Sequence, residues 1–361
     1  MMPPSARNPF RKNTSQAVLL LVAAIFCSWT LEVARAGTAE EDWQAVVALD
    51  AGPAQHPQTA EAAGNIVVAH LARQEKALRT FLAAHPEDSH AFEAKLRLSR
   101  LLQIRADFEQ SEKLRVEAAN LLESLEKTAT PEQRTELDFS KVTRLMRGLH
   151  RNDSAQCQTL LDAARRFQAA HPTDRRVAPL LAEVATLYDN KPQLKESLLE
   201  DALSAVRESD VKARIQDDLK RVRLFGQLVS MKFTSIQGKE ITLDDFAGRP
   251  VFIIFFGEFS TESMTAVDKL RAEVAQLPAG AVEVVGVDLD ARREAVLETI
   301  KTRRLTWPLA YDGKGWDSPL VRNFGINMVP TVWLLDGHGH LRSLNALEGA
   351  ATLARQLLRE H

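Results

Sequence analysis

Val251-Phe252-Ile253-Ile254-Phe255-Phe256-Gly257-Glu258-Phe259-Ser260-Thr261-Glu262-Ser263 decides how the last third of this 361-residue chain folds. Its first six residues are an apolar run of strand length, which reads as a buried strand. Gly257 ends the run, and a helix opens at the serines. Serine at a helix start accepts hydrogen bonds from backbone amides that have no partner within the helix, so Ser260 is expected to cap it. A serine nucleophile would need a base in reach and an oxyanion hole. The stretch lacks Gly-x-Ser-x-Gly, and the nearby histidines (His338, His340, His361) fall at a hairpin and at the chain end. The sequence therefore gives no case for serine hydrolysis.

Outward from this stretch, residues 226–361 alternate strands with helices. Strand runs fall at Val251–Phe256, Val282–Val287 and Thr331–Leu335, and helices near Ser263–Gln276, Arg292–Arg303 and Leu347–Arg359. Such alternation predicts an α/β domain, a sheet layered by helices. Gly238, and Gly337 with Gly339, mark hairpin turns.

Several landmarks recur in the order of a known family. Lys232-Phe233-Thr234 with Gln237-Gly238-Lys239 and Leu243 forms a leading hairpin, and Gly248-Arg249-Pro250 enters the first central strand. Gly286-Val287-Asp288 and Arg292-Arg293-Glu294 mark a second strand and its helix. Asn323-Phe324-Gly325-Ile326-Asn327-Met328-Val329-Pro330-Thr331 leads to a last strand, and Asp336-Gly337-His338-Gly339 to a hairpin. In these residues the stretch 226–361 resembles the secreted thioredoxin-like family of TlpA and ResA type, akin to the AhpC/TSA peroxidases. The resemblance implies a thioredoxin-like fold with a central mixed sheet flanked by helices.

It also implies where chemistry should sit. The family's two redox cysteines match Ser260 and Ser263, and the polar relay in the preceding strand matches Ile254. A thiolate favoured by a helix start attacks a disulfide and a second thiol resolves the mixed intermediate; two hydroxyls do neither. Residues 226–361 contain no cysteine, which removes a peroxidatic thiol as well. Pro330 matches the family's cis-proline, beside which the backbone pairs with a bound peptide. Phe259, Val329 and Pro330 are therefore the candidate binding groove, against the plainer reading that Pro330 only maintains the fold. Phe256 and Phe259 stand where the family often has tryptophan, and Trp307 and Trp316 lie in the loop region before Pro330.

From about Asp42 to Phe225 the chain reads as successive helices. Leu114, Ala118, Leu121, Leu122 and Leu125 make one apolar face, and Val211, Ile215, Leu219 and Val222 another. Breaks fall at His85-Pro86, Thr130-Pro131, Asn152-Asp153, His171-Pro172 and Asn190-Lys191-Pro192. Phe81-Leu82-Ala83-Ala84-His85-Pro86-Glu87-Asp88 echoes Phe167-Gln168-Ala169-Ala170-His171-Pro172-Thr173-Asp174. Each copy reads as a helix end, a proline stop and an Asp set to cap the next helix. The pair resembles the helix-to-helix corner of tetratricopeptide-like repeats, so residues 37–225 are read as an array of helical hairpins. An irregular helical bundle is the alternative.

At the amino terminus Arg7, Arg11 and Lys12 precede an apolar run from Ala17 to Phe26, and Ala34-Arg35-Ala36 offers a small-x-small cleavage site. Residues 1–36 thus read as a signal peptide, with cleavage near Ala36 and release to the periplasm or outside the cell. A retained anchor is the alternative, though the run falls short of the roughly 20 apolar residues of a membrane span, and no stable span is expected after cleavage. Cys27 leaves with the signal. Cys157 then stands alone, beside Leu160, Leu161 and Ala164 at helical spacing, and is expected to pack in a core.

A net charge of −2 gives no reason to expect nucleic acid. No metal-ligating cluster and no cofactor motif is present in the sequence. The reading that follows is a redox-inactive thioredoxin-like module that binds or scaffolds, with a peptide or an envelope protein as partner. Two alternatives stay open: a thiol-disulfide oxidoreductase or peroxiredoxin-like enzyme working through Cys157 or a partner's thiol, and a purely structural protein.

Overall fold

A computed structural model describes residues 38–55 and 59–360. The expected signal peptide, Cys27 and His361 lie outside these residues. The chain forms two compact units that divide at Ser140/Lys141.

The first unit is helical. Helices α1 (Ala39–Ala48), α2 (Ala60–Ala84), α3 (Ala91–Glu109) and α4 (Glu112–Thr128) each pack on the next, and α5 (Pro131–Arg147) runs across the division. Trp43, Phe81, Leu98, Leu102 and Ala118 make its core. The second unit begins with α6 (Ser154–Ala170), α7 (Val177–Ala185), α8 (Pro192–Ala205) and α9 (Ser209–Arg223), again packed in sequence order. Helix ends fall at the breaks read from the sequence: α2 ends at Ala84, α6 at Ala170, and α5 and α8 open on Pro131 and Pro192. Proline suits a first helical turn because its missing N–H would have no partner there. Among the described residues no helix is long and apolar enough to cross a membrane.

The internal echo is a structural repeat. His85 closes α2 at φ −132°, ψ 59°, and His171 closes α6 at φ −132°, ψ 55°. The rings of Phe81 and His85 lie 5.3 Å apart, and those of Phe167 and His171 5.0 Å. One expectation needs correcting. Asp88 and Asp174 do not cap a helix; each accepts the amide two residues on, His90 N–H or Arg176 N–H, at 2.8 Å. Those two residues are themselves the N-caps, though neither side chain caps a helix amide. The aspartates fix the turn ahead of the helix.

After α9 comes the α/β part. A hairpin of β1 (Lys232–Thr234) and β2 (Glu240–Thr242) stands apart from a five-stranded sheet. The sheet contains β3 (Val251–Phe256), β4 (Glu283–Asp288), β5 (Leu309–Ala310), β6 (Thr331–Leu335) and β7 (Leu341–Ser343), in the order β5-β4-β3-β6-β7. β3 runs parallel to β4 and antiparallel to β6, so the sheet is mixed. Between the strands lie α10 (Thr261–Val274), α11 (Arg293–Arg303) and α12 (Pro319–Asn323), and α13 (Ala350–Arg359) follows the last of them. This is the thioredoxin-like fold.

β3 is central and buried throughout, which is why its sequence is apolar without alternation. Phe252, Ile254 and Phe256 face the core under α10 and α13. Phe255 meets Trp333 edge-on at 5.4 Å, and Trp333 meets Phe324 at 5.5 Å. Both sheet edges are covered. Gly226 N–H donates to Leu341 O, and Val229 N–H to Gly339 O, along β7; Ile236 N–H donates to Leu309 O beside β5. A covered edge offers no ladder for unwanted strand pairing.

Candidate functional site

β3 delivers the chain to the site and α10 leads it away. Gly257 follows the strand, and a Cβ there would overlap the Phe259 ring. Only glycine lets Phe259 fold back over the loop. The ring is 59% exposed all the same, and its centroid lies 6.4 Å from that of Trp316, itself 44% exposed. Two large aromatic faces beside one loop form an apolar platform open to solvent.

Ser260 is the N-cap of α10. Its Oγ accepts Ser263 N–H at 3.0 Å and donates to the Glu262 carboxylate at 3.1 Å. Ser263, one turn in, is fully buried, and its Oγ has no partner. Ile254 is buried among apolar side chains under α10 and α13. The two serines thus sit at the helix start as the sequence placed them, one capping and one enclosed. No histidine bonds either hydroxyl among the described residues.

A carboxyl pair lies beside the loop. Asp288 ends β4, in register with Phe256 of β3. Its Oδ1 accepts Asp290 N–H at 2.8 Å, and Asp290 Oδ2 accepts Glu258 N–H at 2.8 Å. Asp288 Oδ2 is buried without a partner. Burial pushes the Asp288 carboxyl up to about 8, and the charges of Asp290 and Glu258 act in the same direction. An acid held protonated at neutral pH therefore stands one strand over from the buried Ile254 of β3. Sequence reasoning passed over it, treating Gly286-Val287-Asp288 as a fold landmark. The available signal was an aspartate ending a buried run, with another two residues on.

The loop before β6 reaches the sheet beside the end of β3, where Phe255 pairs with Thr331. The Val329–Pro330 bond is cis. Met328 O accepts the Thr331 hydroxyl at 2.9 Å, while Val329 N–H and C=O have no partner among the described residues. A strand-like edge of one residue is thereby left open beside the loop. The same loop is tied to α9. Arg221 donates to Gly325 O at 3.1 Å and to Asn327 Oδ1 at 2.6 Å, and it pairs with Asp218. Asn327 Nδ2 donates to Asp218 Oδ1 at 2.8 Å, and Lys220 Nζ to Arg322 O at 2.8 Å. Gly325 has φ +64°, and a Cβ there would stand 2.5 Å from Asp217 O. Helix and loop meet backbone to backbone, an approach only glycine permits.

Cys157 lies in α6, buried, its Sγ 3.5 Å from Arg151 O.

The fold is that of a thioredoxin-like domain, and the helix that follows its central strand opens on Ser260 and Ser263. Residues 226–344 match the family described as AhpC/TSA. Over 106 residues the chain is 28% identical to the thiol-disulfide oxidoreductase ResA of Bacillus thuringiensis subsp. konkukian, covering 29% of this chain and 60% of that protein. It is 25% identical over 122 residues to the ResA of Bacillus anthracis, covering 34% of this chain and 69% of that one. A solved structure, a secreted thiol-disulfide isomerase from Corynebacterium glutamicum, is 20% identical, with a TM-score of 0.33 over 37% of this chain and 86% of its own. The matched stretch spans only about 60% of the first of these relatives, and the helices before residue 226 lie outside the family match.

Proposed function

We propose that this chain is an exported thioredoxin-fold protein that has lost disulfide chemistry and acts as a binding module. The observation that carries the reading is the helix start itself. Ser260 spends its oxygen on the Ser263 amide, Ser263 is enclosed, and no cysteine exists from residue 226 onward. Thiol exchange needs a thiolate and a resolving thiol, and hydroxyls at these two positions supply neither. The open backbone of Val329 and the exposed rings of Phe259 and Trp316 supply what binding needs: a short edge for strand-like pairing and an aromatic face. Export rests on the charged, apolar and small-residue pattern of residues 1–36.

The competing reading takes the ResA-type activity of the relatives at face value and requires Cys157 or a partner's thiol to act. The burial of Cys157 in α6 speaks against the former. Insulin reduction in the presence of dithiothreitol separates the two. The mature chain and its Cys157→Ala variant are both expected to match the uncatalysed rate. Catalysis that disappears with Cys157 would establish a one-cysteine enzyme and overturn the proposal.

A further inference from the structure

The second unit contains a cleft of about 300 Å³ whose walls come from α7–α9 on one side and from Asn327, Met328, Pro330 and Thr331 on the other. Its charged groups are mostly paired within the wall. Arg151 faces Glu183 at 3.6 Å, Lys195 pairs with Asp189, and Arg221 with Asp218. Arg214 is the exception. It lines the cleft, its guanidinium has no partner among the described residues, and its backbone carbonyl accepts Asn327 Nδ2 at 3.3 Å. The backbone of Arg214 is thereby tied to the loop that carries the unpaired Val329 amide and carbonyl, while its exposed guanidinium stays free to meet a ligand. Met328, between Asn327 and Val329, is 55% exposed.

From this placement we infer that α7–α9 complete the groove beside Val329 and select an extended peptide bearing an acidic side chain, which Arg214 receives. The inference rests on the binding reading above and adds the chemistry of the occupant. Backbone pairing at Val329 fixes the strand and carries no sequence preference; the side-chain preference comes from the helical wall. Three of the four cations in the wall are neutralised at home, so a basic peptide gains nothing there and meets Arg214 with like charge. The wall does not drift away from the loop, because Gly325 lies against Asp217 and Arg221 is bonded on both sides.

The test uses the full mature chain as a Cys157→Ala/Ser260→Cys variant, which places one thiol at the helix start. Two short probe peptides, each with a single cysteine, one flanked by aspartates and one by lysines, compete for that thiol in a glutathione buffer. Mass spectrometry reads the mixed disulfides. One partly exposed ion pair corresponds to a preference of about two- to fivefold. The ratio of aspartate to lysine adduct is expected to fall by that factor with Arg214→Ala, and further with Arg214→Glu. Lys212→Glu, the same charge change on α9 away from the cleft, is expected to leave the ratio near that of the parent, and 0.5 M salt to erase the difference. If Arg214→Glu and Lys212→Glu move the ratio equally, or neither moves it, the inference fails while the groove stands. If neither peptide competes better than glutathione itself, the groove reading fails too.

Discussion

Replacing Asp288 by asparagine should stabilise the protein increasingly as pH rises. In the folded chain the carboxyl titrates at about 8, because burial and the charges of Asp290 and Glu258 oppose ionisation; the ordinary value is 3.8. Below 3.8 the group is protonated in both states and contributes no pH dependence. Between 3.8 and 8 folding takes up a proton, so wild-type stability falls as pH rises, by about 1.4 kcal/mol per unit. Above 8 the group is ionised in both states and the full penalty persists. Asparagine keeps an oxygen for the Asp290 amide and has no charge to bury. From about pH 5 to about pH 8 the advantage of Asp288→Asn over wild type should therefore widen by about 3–4 kcal/mol. Urea denaturation followed by tryptophan emission, at unit steps from about pH 5 to about pH 9, measures it directly. An advantage that stays constant across this range would refute the buried-acid account, and one that shrinks would reverse its sign.

Two further outcomes follow from the same geometry. Ser260→Ala removes the cap of α10 and should cost about 1 kcal/mol of stability, read as a lower urea midpoint, with no change in any binding that depends on Val329. Arg221→Leu strips Asp218 of its ion pair where both side chains are nearly nine-tenths buried. About 3 kcal/mol is expected, and hydrogen exchange should quicken at Gly325 and Asn327 before it does in β3.

The α/β part was legible because its signals are local. The unbroken run of β3, the glycine after it and the serines at the helix start each fix their own neighbourhood, and every β3 residue is buried. Boundaries moved by a few residues where sequence offers only periodicity. The strand read as Val282–Val287 is Glu283–Asp288, and the last helix opens at Ala350, not Leu347. The two-residue β5 was not seen, since a strand that short carries no pattern. In the helical region the prolines marked the breaks correctly, but the repeated aspartates were misassigned because a turn and an N-cap draw on the same side-chain chemistry. What sequence could not supply was long-range. Nothing near Asp288 announces that Glu258 will be beside it, and nothing near Gly325 announces the backbone of Asp217. The tie between α9 and the loop before Pro330 spans more than a hundred residues of chain.

The central claim, that the scaffold is intact and only the sulfur chemistry is gone, is tested most directly by Ser260→Cys/Ser263→Cys in a Cys157→Ala background. Positions three apart at a helix start lie within reach of a disulfide, and the helix dipole favours the first thiolate. Insulin reduction and the oxidised mass are measured beside wild type. The account predicts no catalysis by wild type, and an internal disulfide with measurable reductase activity in the variant. Wild-type activity equal to that of the variant, or a variant whose two cysteines never pair, would contradict it.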